Sequence, residues 1–149
     1  MRFWDSSALV PLLVRQATSR KLRSLYRADT TVVAWWGSRV ECESAISRLE
    51  REGRLKARAA LAARRRLDLF AVTWQEVQPV DALRDTARRL RVHDLRAADA
   101  LQLAAALAAA EQHPSTLPLV CLDTNLTAAA SREGFSVVVA SSMPQHGGI

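Results

Sequence analysis

Cysteine is scarce in this 149-residue chain. Cys42 and Cys121 stand alone and far apart with no CxxC, so neither a zinc ribbon nor a disulfide framework can form. Cysteine usage of this kind suits a reducing, cytosolic setting. Histidine is nearly as rare. His93 has no second His or Cys close by in sequence, and it reads as a loop or capping residue rather than a ligand. Aromatic residues make up only 5% of the chain. Long apolar runs are missing too. The N-terminal MRFWDSSALVPLLV is cut by Asp5 and Pro11, so it is not a signal peptide. The longest apolar window, LRAADALQLAAALAAA at 95–110, carries Asp99, and no stretch reaches the length of a membrane span. There is no internal repeat and no linker.

Hydrophobic residues at 49% and charged residues at 24% give the balance of an ordinary globular protein. The length predicts one domain over 1–140, followed by a loosely ordered tail, SSMPQHGGI, over 141–149. The net charge of +6 favours an anionic partner. Two clusters carry the excess. One holds Arg48, Arg51, Arg54, Lys56, Arg58, Arg64, Arg65 and Arg66; the other holds Arg84, Arg88, Arg89, Arg91 and Arg96. A charge run on a helix is usually a solvated face, but a one-sided excess also suits a nucleic-acid backbone.

Apolar runs at 1–4, 30–36, 70–77, 118–122 and 135–139 read as strands. Helical patterns fill the spaces: after Asp5, then 18–27, 39–52, 54–69, 81–91, 95–111 and 124–132. In the helix at 39–52, Val40, Ile46 and Leu49 are expected inward. Asp94 is the expected N-cap of the helix at 95–111. Trp35 and Trp36 should point to opposite faces, so at most one is core. Trp4 is expected to pack in the sheet, and both cysteines to be buried small hydrophobes. Strands alternating with helices predict an α/β fold: a parallel sheet covered on both faces.

In such folds ligands gather at the carboxyl ends of the strands. Asp5 and Asp123 each fall there, between an apolar run and a helix, and each also suits a plain N-cap. Glu41 opens the helix after the second strand, where a first-turn acid is favoured by the helix dipole. Glu43 lies about 200° around from it and cannot share its face. Asp99 sits beyond the cap among Ala and Leu, where an ionised carboxylate is costly unless paired; an ion pair with Arg96 is the plain alternative. Four acids converging on one site would repel, and one or more would be held protonated. A divalent cation resolves that conflict. Oxygen-only ligands suit Mg2+ or Mn2+ rather than zinc.

The segments WDSSALVPLL, RVECESAISRLER, HDLRAADALQLAAAL and LVCLDTNLTAAA, in this order and spacing, resemble the PIN-domain ribonucleases. Among these they look like the VapC-type toxins of toxin–antitoxin pairs. The resemblance spans about residues 1–139. It implies a PIN-like three-layer sandwich with a parallel sheet of four or five strands. It also implies Asp5, Glu41, Asp99 and Asp123 as catalytic, metal-holding acids and Asn125 as an outer ligand. The implied activity is Mg2+-dependent endoribonuclease cleavage by an activated water, leaving a 5′-phosphate and a 3′-hydroxyl. An RNA substrate, a cognate antitoxin that takes part of the basic surface and a homodimer are the implied partners. Cys121 is a departure, since many relatives carry Thr or Ser two residues before the last Asp. A non-catalytic RNA- or partner-binding module and a structure-specific DNA nuclease stay open as other readings.

Overall fold

A computed structural model describes residues 1–138, so Val139 and the expected tail at 141–149 lie outside the described residues. Five parallel strands form one sheet: β1 (Arg2–Trp4), β2 (Val32–Trp35), β3 (Gln75–Val77), β4 (Leu119–Val120) and β5 (Val137–Val138), in the order β3-β2-β1-β4-β5. Phe3 is the pivot of the register, opposite Val33 on one side and Leu119 on the other. The helices are α1 (Ser6–Leu13), α2 (Ser19–Ala28), α3 (Ser38–Arg51), α4 (Ala57–Ala71), α5 (Asp81–Arg89), α6 (Ala97–Ala109) and α7 (Thr124–Arg132). Among the described residues no helix is long and apolar enough to cross a membrane.

Strand alternation sorts the core into two halves. Trp4, Val32, Ala34 and Val120 face α1 to α4 in one apolar cluster. Phe3, Val33, Trp35, Leu119 and Cys121 face α5 to α7 in the other. The chain winds outward through β1, β2 and β3, then crosses back to place β4 on the far side of β1. β1 and β4 therefore flank the point where the winding direction reverses, which is where α/β sheets open a crevice at their carboxyl edge. The Asp5 N–H, bonded to the Val120 carbonyl at 3.0 Å, closes the ladder at that edge.

Four expectations need correcting. Residues 70–77 are not one strand. Ala60, Ala63, Leu67 and Ala71 form the buried stripe of α4, which carries the helix through Phe70, and only Gln75–Val77 pairs with β2. Val40 is 65% exposed, because the buried face of α3 runs through Cys42, Ile46 and Leu49, and Val40 is two residues off that line. Arg96, not Asp94, occupies the N-cap position of α6, and its side chain makes no capping bond. The Ala/Leu helix is also less buried than its composition suggests: Ala97 and Ala98 are exposed, and continuous burial covers only Gln102 to Leu107. Of the tryptophans, Trp35 is core and Trp36 is half exposed, stacked edge-on against it. Trp4 is fully buried.

α7 is followed by Gly134 at φ +99°, a backbone conformation that L side chains rarely adopt. A Cβ there would also stand 3.1 Å from Pro114 Cγ. Gly134→Ala should therefore cost about 1–2 kcal/mol. Urea denaturation would show it as a lower midpoint at unchanged slope; an unchanged midpoint would mean the turn relaxes into another conformation at no cost.

Candidate active site

Each acid reaches the carboxyl edge of the sheet for a local reason. Asp5 follows β1 directly and caps α1, accepting from the Ser7 N–H at 3.1 Å. Asp123 follows β4 and caps α7, with its Oδ1 accepting from the Leu126 N–H at 2.8 Å. Glu41 lies in the first turn of α3, and Asp99 in the first turn of α6. The plain capping roles of Asp5 and Asp123 are thus real. All four acids nevertheless line a single cleft of about 950 Å³, together with Ser6, Ser7, Asp94, Asn125 and the side chains of Arg48, Arg54 and Arg96. Ala45 also lines it, and Glu43 does not. Glu43 instead takes Arg64, whose Nε lies 2.5 Å from Glu43 Oε1 and whose other nitrogens reach Ser47 and Glu50. Arg66 donates to the Leu13 carbonyl. The first basic cluster is therefore divided: Arg48 and Arg54 face the cleft, while Arg64 and Arg66 hold the fold.

Electrostatics tie the acids together. Burial raises the pKa of Asp5, which is 2% exposed, against the opposing pull of hydrogen bonds from Ser7, Cys121 and Ser6. Burial also raises Glu41; hydrogen bonds from Ser6 and Gln102 pull it back, and the charges of Asp5 and Asp99 push it further up. Asp99 is raised by burial, then by Asp123 and Asp5, while Arg96 opposes. Arg96 acts through charge alone; no ion pair joins it to Asp99. Asp99 is half-buried in a helix's first turn, not enclosed in an apolar core.

Three contacts at the site lay outside the sequence-based expectations. Ser7 is more than a cap residue: its hydroxyl donates to Asp5 Oδ2 at 2.5 Å and accepts from the Leu122 N–H at 2.9 Å, pinning α1 to the end of β4. Cys121 fills the place where a hydroxyl was expected from relatives, and its thiol still points at Asp5 Oδ2, at 3.6 Å. Burial pushes that thiol up to about 12, so it stays protonated and can donate. Cys42 is buried and likewise pushed up to about 12. Gln102 reaches Glu41 Oε2 at 2.6 Å. The available signal was that Gln102 is the one polar residue besides Asp99 between 97 and 110, three positions on and so on the same face. His93 stays out of the site, 2.7 Å from Glu133 Oε1.

Among the described residues no group of three or more His, Cys, Asp or Glu side chains is placed so that it could hold a metal ion. The donor chemistry nonetheless fits a hard cation: four carboxylates, no thiolate or imidazole ligand, and mutual repulsion that a positive charge would relieve. Mg2+ keeps several waters and commonly uses only one or two direct carboxylates, so three protein ligands are not required.

No family model matches the sequence, and no curated protein does. Solved structures do resemble it. The crystal structure of FitAcB from Neisseria gonorrhoeae superimposes with a TM-score of 0.64 at 18% identity, covering 96% of this chain and all of the other. FitAB bound to an IR36 DNA fragment gives 0.64 at 17% identity, covering 98% of this chain and 99% of that one. At such identities the likeness is one of fold. The chain has an α/β PIN-like fold, a five-stranded parallel sheet between two helical layers.

Proposed function

We propose that this chain is a metal-dependent endoribonuclease, the toxin of a type II toxin–antitoxin pair. The observation that carries the proposal is the convergence of Asp5, Glu41, Asp99 and Asp123, at the N-terminal ends of four separate helices, on one arginine-rimmed cleft. These four acids would hold Mg2+, with Mn2+ as a substitute. When bound, the ion would neutralise charge on the scissile phosphodiester and make water a competent nucleophile at neutral pH. Arg48, Arg54 and Arg96 on the rim would bind the phosphates that flank the cut. Ser7 and Cys121 both donate to Asp5 Oδ2 and hold that carboxylate in place. Without metal, burial raises the pKa of Asp5, Glu41 and Asp99, and a bound cation would oppose that rise. A cognate antitoxin, a second copy of this chain and a cytoplasmic location belong to the same proposal.

The shared fold supports the reading. FitAB was captured on a DNA fragment, which makes DNA the competing substrate to assay in parallel. The purified chain is expected to cut RNA internally with Mg2+, leaving 5′-phosphate and 3′-hydroxyl ends. EDTA should abolish the cutting and Mn2+ should restore it. Cleavage of a DNA flap but not of RNA would transfer the site to a structure-specific DNA nuclease. RNA binding without cleavage under any divalent ion would make the chain a non-catalytic module.

A further inference from the structure

We infer that Gln102 is a positioning residue for Glu41, holding that carboxylate in the cleft from a different helix, with Ser38 orienting the amide. The inference rests on the nuclease reading for its consequence, though not for its geometry. Gln102 is 1% exposed and Ser38 is fully buried; with Asp5 and Ser19 they make up the buried polar residues among the described ones. Gln102 Nε2 donates to Glu41 Oε2 at 2.6 Å and to Ser38 Oγ at 3.0 Å, so both of its N–H bonds are used. The orientation of the amide is dictated by its partner. Turned over, it would set Oε1 against a carboxylate oxygen, two acceptors face to face. The price of the observed orientation is visible: Gln102 Oε1 has no hydrogen-bond partner among the described residues.

A buried amide with an orphaned carbonyl is a poor choice for packing alone. The next residues along α6, Leu103 to Leu107, show what packing selects there. α6 packs chiefly on α5 and β2, and Gln102 reaches past them to α3. Asp5 and Asp99 both press like charge on Glu41, and Gln102, together with the hydrogen bond from Ser6, holds it against them. One face of α6 therefore supplies one acid directly, Asp99, and fixes another, Glu41, three residues further on.

The test separates this role from the nuclease reading. In metal-free wild-type protein, NMR should find both side-chain amide protons of Gln102 slow to exchange. Glu41→Ala should perturb one and Ser38→Ala the other. Freely exchanging protons, or none moved by Glu41→Ala, would overturn the inference even if RNA is cleaved. Gln102→Met keeps the length and removes the donors. In a folded variant, Mn2+ affinity measured by calorimetry should fall about 10-fold or more, and kcat on RNA should fall with KM little changed. Affinity and kcat within about twofold of wild type would reduce Gln102 to a packing residue. If Gln102→Met does not fold, the amide exchange in the wild type and Glu41→Ala decides. If the amide behaves as described while the wild type neither binds Mn2+ nor cuts RNA, the nuclease reading fails and the coupling of Gln102 to Glu41 stands.

Discussion

Asp99→Asn is expected to lower Mg2+-dependent RNA cleavage by at least about 10²–10³-fold while leaving the fold intact, and to make the metal-free protein slightly more stable at neutral pH. The two effects share one cause. Asp99 is a charge the fold tolerates at a cost: burial, Asp123 and Asp5 all raise its pKa, and Asp99 in turn raises that of Glu41. A carboxyl whose folded pKa lies above its unfolded value binds protons more readily in the native state. The stability it contributes is complete below the unfolded value, near pH 4, and is lost as pH rises through the raised folded value. At pH 7 the wild type therefore carries this penalty and Asp99→Asn does not. The first-turn position works the other way, since the helix dipole favours the anion by about 0.3–1 kcal/mol. Burial and the charges of Asp123 and Asp5 oppose it, and the expected result takes them as the larger effect. Asp99 is half open to solvent, which screens the gain to about 0.5 kcal/mol, or roughly 1–2 °C in thermal midpoint. The advantage should shrink as pH falls toward 4. Added Mg2+ should reverse the order, stabilising the wild type by up to about 2.7 kcal/mol at a hundredfold excess over Kd and the variant by less. Undiminished cleavage by Asp99→Asn would remove Asp99 from the site. A lower midpoint without metal would mean that the dipole, not repulsion, governs this carboxylate.

Much of this architecture was legible because the signals were local. The order of strands and helices came from apolar runs broken by caps, and α7 was placed at Thr124–Arg132 because Asp123 caps its start and Gly134 stands just past its end. Asp5 and Asp123 were visible for the same reason. Signals that depend on a neighbour were not legible. The run at 70–77 looks like a strand until Phe70 is seen to pack edge-on against both Tyr26 and Trp74, with ring centroids at 5.3 and 5.4 Å. Those contacts belong to a helix end, and they leave β3 only three residues. Val40 looked inward because apolar spacing alone cannot tell which stripe of a short helix is buried; the stripe through Cys42, Ile46 and Leu49 is chosen by α1 and α4. The first turn of α6 looked buried because Ala is silent about exposure. The bridge from Gln102 to Glu41 spans 61 residues and exists only because the chain crosses back over the sheet between β3 and β4, which periodicity cannot reveal.

Trp4→Ala carries the largest expected loss of stability, about 3–5 kcal/mol, which lowers the thermal midpoint by roughly 10 °C or more. Trp4 is the largest fully buried side chain, on the central strand of the sheet, and packs into the cluster formed with α1 to α4. Truncation there leaves a cavity bounded by the sheet, which cannot close on it as a flexible loop would. Trp4→Phe should cost much less than its lost volume suggests. The indole N–H of Trp4 is buried with no hydrogen-bond partner among the described residues, and an orphaned donor of this kind costs about 1–3 kcal/mol. Phe removes that penalty while keeping most of the ring, so the two effects should nearly cancel, to within about 1 kcal/mol. Equal losses for Phe and Ala would show that the N–H is satisfied in solution, by a buried water, and that it holds the ring in place. The variants also differ in what they do to the site. Asp5 is the next residue, and its N–H is held by Val120 at 3.0 Å. Trp4→Phe should keep that register and with it the cleavage rate at temperatures where the protein is folded. Trp4→Ala loosens the strand that presents Asp5, so its activity should fall at temperatures well below its own midpoint.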